Sequence, residues 1–246
     1  LTRMKSTAIA LCVLLTVVTG SAQQKPESSG PPPIIDRELF FGNPEIASAT
    51  LSPDGKYIAF RKPWNGTMNV WVKKAEEPFN SAKRVTAEAR RPIPAFFWSR
   101  DSKYVLFVQD QAGDENYNVY AVDPSAAPSA QDVPPARNLT DAKGARALIY
   151  DVPRQNADLI YVGLNDRDAA WHDLYEVRIS TGERKLLRQN TEKIAGWIFD
   201  RAGKLRLALR TTDAGDTDIL RVTDTGFEQV YSCTVFETCG PLQFHP

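Results

Sequence analysis

From residue 47 onward the chain alternates short apolar stretches with polar turns, and the same phrase keeps coming back. Leu51-Ser52-Pro53-Asp54-Gly55-Lys56-Tyr57-Ile58-Ala59-Phe60 returns as Trp98-Ser99-Arg100-Asp101-Ser102-Lys103-Tyr104-Val105-Leu106-Phe107. Weaker copies occupy residues 152–161 and 199–208. Aligned on Ser52, Ser99, Pro153 and Asp200, the copies recur at intervals of about 50 residues, a period typical of stacked repeat architectures.

Each copy follows one plan. An apolar lead-in (47–51, 95–98, 147–150, 196–199) precedes a turn, whose Pro-Asp-Gly-Lys form at 53–56 suits a reversal between strands. An apolar or alternating strand follows, as at 57–60 and 104–108, and then a polar loop, as at 109–115 and 211–217. A second strand opens on Asn69, Asn118, Asp173 or Asp218, and its alternate residues are apolar, the period of a half-buried strand. A short strand closes the unit, as at 83–86 and 137–140. Trp71, Tyr120 and Tyr175 fall on the second strands and read as packing residues.

Four short strands per repeat predict a β-propeller blade, whose two apolar faces must be covered by neighbouring blades. The expectation is an all-β fold, a partial propeller of about four four-stranded blades over residues 39–246. Residues 240–246 match the lead-in and first turn residues of a fifth copy, so the propeller reads as incomplete, ending at the start of a further blade. The alternative is a four-bladed ring in which the tail from Gly240 completes the first blade.

The first residues carry a different signal. Lys5 follows Met4, residues 8–18 form an apolar run too short to span a bilayer, and Gly20, Ser21 and Ala22 are small. This predicts a signal peptide over 1–22, cleaved after Ala22, with an uncleaved membrane anchor as the alternative. Cys12 lies inside the run rather than at its end, which argues against a lipoprotein site. Residues 23–38 read as a flexible Pro/Ser-rich leader. The expected location is the periplasm or the exterior, with no membrane attachment after cleavage. Removal of Cys12 leaves Cys233 and Cys239, a candidate disulfide in an oxidising compartment. Two free thiols are the alternative, and a metal site would need ligands beyond His245.

Thirty basic and thirty acidic residues give no net charge, which argues against a nucleic-acid partner while leaving room for a local patch. No cofactor or metal site is predicted. The glycines form no phosphate-cradling loop, and Asp213-Ala214-Gly215-Asp216-Thr217-Asp218 lacks the spacing and closing Glu of an EF-hand, reading instead as a polar hairpin loop. Ala89-Arg90-Arg91 and Glu183-Arg184-Lys185 read as solvated loops. His172 and His245 are the two histidines, neither in a triad context, and no Gly-x-Ser-x-Gly occurs, so no catalytic residue is assigned.

The segment Ser52-Pro53-Asp54-Gly55-Lys56-Tyr57-Ile58-Ala59-Phe60 and the ending Phe244-His245-Pro246 resemble the propellers of prolyl-oligopeptidase-type serine peptidases and of TolB-like proteins. More particular are Asn138-Leu139-Thr140-Asp141, Leu164-Asn165-Asp166-Arg167-Asp168, Trp171-His172-Asp173-Leu174-Tyr175-Glu176-Val177 and Thr181-Gly182-Glu183. These are similar to the front half of bacterial exported dipeptidyl-peptidase and acylaminoacyl-peptidase-like members. The resemblance implies a propeller that gates peptide substrates for a downstream α/β-hydrolase domain absent from this sequence. The alternative it leaves open is a periplasmic TolB-like propeller used for protein interaction.

Overall fold

The computed structural model describes residues 33–129, 131–242 and 244. The expected signal peptide, Cys12, leader residues 23–32 and His245 lie outside the described residues. One unit ends at Gly42 and contains the short helix α1 (Arg37–Phe41), started by the Asp36 carboxylate accepting from the Glu38 amide.

The second unit starts at Asn43 and, among the described residues, holds sixteen strands in four antiparallel four-stranded sheets. Blade 1 is β1 (Ala47–Leu51), β2 (Tyr57–Trp64), β3 (Thr67–Lys74) and β4 (Lys83–Arg84). Blade 2 is β5 (Ala95–Trp98), β6 (Val105–Gln109), β7 (Asn118–Val122) and β8 (Ala136–Asn138). Blade 3 is β9 (Ala147–Asp151), β10 (Leu159–Asp168), β11 (Trp171–Arg178) and β12 (Arg184–Arg188). Blade 4 is β13 (Ile194–Phe199), β14 (Leu205–Thr211), β15 (Thr217–Val222) and β16 (Phe227–Cys233). In every blade sequence order equals spatial order, so each sheet is a simple meander.

The turns between first and second strands explain the repeated motif. Ser52 donates its hydroxyl to Asp54 at 2.6 Å and accepts from the Tyr57 amide, while Asp54 accepts from the Lys56 amide. Ser99, Asp101, Lys103 and Tyr104 repeat this set in blade 2. Gly55 sits at φ +74°, where a side chain is disfavoured. Asn65 and Gly66, both at positive φ, make the tight β2–β3 hairpin. Pro63 is tolerated in β2 because it pairs with Met68 beyond the reach of β1.

Adjacent residues of a strand point to opposite faces, and here both faces are apolar. In β6, Val105 and Phe107 pack on Ala59, Val70 and Val72 of blade 1, whereas Leu106 packs with Ile160 and Val162 of blade 3. Blade 3 presents Tyr150, Tyr161 and Leu174 to Trp197, Ala208 and Leu220 of blade 4. Three apolar seams therefore join the four sheets in chain order. Trp71, Tyr120 and Tyr175 are all partly buried on the blade faces, with Tyr120 stacked on Phe107 at 5.3 Å.

The third strands of blades 1, 3 and 4 begin one or two residues earlier than expected, and the Asn or Asp within the first three residues of each third strand is a clasp. Asn69 accepts from the Thr86 hydroxyl and the Glu88 amide, and Asn118 accepts from Thr140 and the Ala142 amide. Asp173 accepts from the Asn190 amide, and Asp218 from the Ser232 hydroxyl. Each clasp ties the third strand to the end of the fourth. It also explains why β4 is shorter than the expected 83–86: Thr86 has turned its hydroxyl onto Asn69 and the Val70 amide.

A second repeated bond crosses the seams. Arg84 of β4 donates to the Gln131 carbonyl, Arg137 of β8 to the Ile179 and Ser180 carbonyls, and Arg188 of β12 to the Thr223 carbonyl. In each case an outermost strand reaches the last loop of the following blade.

Candidate functional site

Two concave regions meet at one indole. Trp98, at the end of β5, donates to the Thr50 carbonyl and lies 6.2 Å from the Tyr57 ring. On one side of it is a cavity of about 400 Å³ at the ends of the first strands, lined by Leu51, Pro53, Phe97, Arg100 and Val152. The Arg100 guanidinium donates twice to the Val152 carbonyl, fixing the turn of blade 2 against blade 3. On the other side is a cavity of about 410 Å³ between blades 1 and 2. Its walls are the third and fourth strands of blade 1 with their connecting loop, and the turn and last loop of blade 2.

These walls are held rigidly. The Asp54 amide donates to the Ser102 hydroxyl, linking the two equivalent turns across the seam. The Ser52 hydroxyl and the Lys56 amide hold the Asp54 carboxyl below its ordinary range. The Lys73 ammonium donates to the carbonyls of Lys74, Ala75 and Glu77, which folds the blade 1 loop around it. Glu77 sits below its usual pKa, held there by Lys74 and by the Ser81 hydroxyl.

The residues singled out in the sequence take these places. Cys233 and Cys239 are joined, with Cα atoms 6.3 Å apart, directly after β16. His172 lies in β11, its Cβ 2.9 Å from where a side chain on Gly163 would begin. Its Nε2 is buried without a hydrogen-bond partner, and burial pushes its pKa down. No hydroxyl or carboxylate among the described residues bonds the ring. Tyr150 crosses the same glycine, and burial pushes its phenol up to about 12.

The 213–218 segment forms the β14–β15 hairpin. Asp216 accepts from the Val235 amide, while Asp218 pairs with Arg210 at 2.9 Å. The charge clusters read as solvated loops are more engaged than that. Arg91 pairs with the buried Asp110, and Arg184 donates across a seam to the Thr140 carbonyl. Each partner lies far along the chain, so no local signal marks the bond.

Four meandering sheets stacked face to face in series define a β-propeller domain. No protein-family model matches the chain. It is 35% identical over 234 residues to dipeptidyl aminopeptidase BIII of Pseudoxanthomonas mexicana, covering 94% of this chain and 33% of that protein. It is 31% identical over 176 residues to dipeptidyl peptidase family member 6 of Caenorhabditis elegans, covering 71% of this chain and 23% of that one. In fold it matches prolyl oligopeptidase B from Galerina marginata, with a TM-score of 0.51 at 13% identity over 76% of this chain and 26% of the other. The chain is a relative of the dipeptidyl peptidases and shares its fold with the propeller portion of prolyl oligopeptidases. It spans a third or less of the length of the two curated relatives it matches.

Proposed function

We propose that this chain is the propeller region of an exported serine peptidase, a peptide-binding gate that carries no catalytic triad. The relation to two dipeptidyl peptidases, over 94% and 71% of the chain, carries the reading. The blade faces support it. Leu207, Leu209, Ile219 and Tyr231 lie on the face of blade 4 that looks away from blade 3, outside the three seams. The connectors that follow blades 1 and 2 bury Ile93, Leu139 and Ala145, whereas the segment after β16 exposes Phe236 at 95% and Leu242 at 99%. A further blade on that face would cover this apolar surface, and a hydrolase domain would supply the nucleophile elbow that this sequence lacks.

Sequencing about 1.5 kilobases of the source DNA beyond the Pro246 codon tests the reading, a reach set by more blades plus a domain of ordinary size. The expected frame runs through further blades to a Gly-x-Ser-x-Gly followed by Asp and His. The complete protein then releases dipeptides from peptide N-termini, and a serine-directed phosphonate abolishes the activity. Blades without a nucleophile elbow would instead favour an interaction propeller and overturn the peptidase reading.

A further inference from the structure

The chain has no net charge, yet one cavity has a local surplus of cations. Four lysines and two carboxylates line the 410 Å³ cavity between blades 1 and 2. We propose that this cavity binds the C-terminal carboxylate of a short peptide whose last side chain is apolar. The proposal rests on the peptide-binding reading above and names the end of the peptide that is held.

The charge balance is the first argument. Lys73 is 4% exposed, and its ammonium has three carbonyl acceptors at 2.8, 2.9 and 2.6 Å but no carboxylate within ion-pair distance. Its hydrogen bonds are satisfied while its charge is not neutralised, and a charge in such a poorly screened position acts at range. Lys74 is paired with Glu77 at 3.3 Å. Lys83, from β4, and Lys103, from the blade 2 turn, form no ion pair among the described residues. Asp123 is the other acid, and its Oδ1 accepts from the Ser125 amide and hydroxyl at 2.8 and 2.6 Å. Four lysines against two carboxylates leave the lining with a surplus of two positive charges, and Lys83 on one wall and Lys103 on the other are its exposed, unpaired ammoniums among the described residues.

The second argument is the floor. Val72, Val85 and Trp98 are core residues whose edges line the cavity, with Tyr57 beside them. An inorganic anion gains nothing from such a surface, whereas an organic anion buries its apolar part there. The cations are lysines, point charges without the planar fork that favours phosphate. Hydrolysis of a peptide bond produces a new carboxylate on the acyl fragment, so peptides with a free C-terminus are what a peptidase propeller encounters as substrates and products.

Isothermal titration of the full 246-residue chain with N-acetyl-alanyl-phenylalanine, with its C-terminal amide and with inorganic phosphate separates these chemistries. The free acid is expected to bind at least about tenfold more tightly than the amide or phosphate, and to weaken as salt is raised. K83Q/K103Q should weaken the acid about fivefold at unchanged thermal unfolding, while K185Q on β12 should leave it unchanged. Equal affinity for acid and amide, phosphate binding as strong as the acid, or wild-type affinity in K83Q/K103Q overturns the proposal. The assay involves no turnover, so its failure leaves the peptidase reading standing, and that reading falls separately with the downstream sequence and the activity of the complete protein.

Discussion

Removing the Asp173 carboxylate should loosen the whole join between blades 3 and 4. Asp173 is 2% exposed and accepts three bonds, from Arg167 Nε at 2.7 Å, Arg167 Nη2 at 2.8 Å and the Asn190 amide at 2.6 Å. Asn190 in turn exchanges two bonds with the backbone of Ile194, the first residue of β13. In Asp173→Ala the buried Asn190 amide loses its acceptor, a loss of about 1–3 kcal/mol, and the charge-assisted pair is lost as well. The Arg167 side chain is 38% exposed and can turn to water, which returns part of that second contribution. The net expectation is about 3 kcal/mol, read as a lower urea midpoint at unchanged slope by tryptophan fluorescence and circular dichroism. Asp173→Asn keeps an acceptor for the Asn190 amide and should lose roughly half as much. Burial alone would raise the Asp173 pKa, but Arg167 and the Asn190 amide outweigh it and hold it below the ordinary value. The pair therefore stabilises the fold above about pH 4, the unfolded value, and that stability fades as pH falls through the lower folded value. Asp173→Asn should flatten the stability curve across that acid range. A loss under about 0.5 kcal/mol in Asp173→Ala would refute the clasp as a stabilising element.

Other parts of the structure make independent predictions. Thr86→Val removes the hydroxyl that donates to Asn69 and accepts from Val70, and should destabilise by about 1–2 kcal/mol in the same urea assay. Gly163→Ala places a Cβ 2.5 Å from the Tyr150 ring and 2.9 Å from His172, an overpacking expected to lower stability by about 1–3 kcal/mol. Because the Tyr150 phenol is pushed up to about 12, neutral Tyr150 favours the fold below about pH 10, and that advantage disappears as pH rises toward the folded value. Tyr150→Phe should reduce this alkaline slope in a pH series of thermal melts, leaving the part owed to the partly buried Tyr120, Tyr161 and Tyr175. Reduction of Cys233–Cys239 should lower the urea midpoint by an amount corresponding to about 2 kcal/mol, the entropy of a short closed loop, and a non-reducing digest should yield the linked peptide.

How much of this the sequence discloses depends on how far apart the interacting residues lie. Strand alternation and turn chemistry are local, so the four repeats, the Ser-x-Asp turns and the all-β class are legible from spacing alone. The Asn or Asp at 69, 118, 173 and 218 is visible as a mark, but its purpose is not, because each partner lies on the following strand or beyond it. β16 escapes notice because most of its residues are exposed and its polar and apolar positions give no clean alternation. The lysine cavity is hidden for a similar reason: Lys73, Lys83 and Lys103 come from a strand, an outer strand and a neighbouring turn, and each alone looks like ordinary solvated charge.

The arginines that cross the seams bear on how such a chain could have grown. Arg84, Arg137 and Arg188 each reach forward to a main-chain carbonyl, a group that every amino acid supplies. They sit at different register positions, opposite Trp71, Ala121 and Leu174, and a main-chain acceptor makes no demand on which side chain the next blade carries. A copied blade inserted in frame would bring its own forward-reaching arginine and offer its own carbonyl to the blade before it. Duplicated segments could then drift in sequence, as these four have, without losing their place in line. Arg184, which reaches back to the Thr140 carbonyl, uses the same kind of acceptor, so a duplicated blade could be joined on either side without a matched side chain.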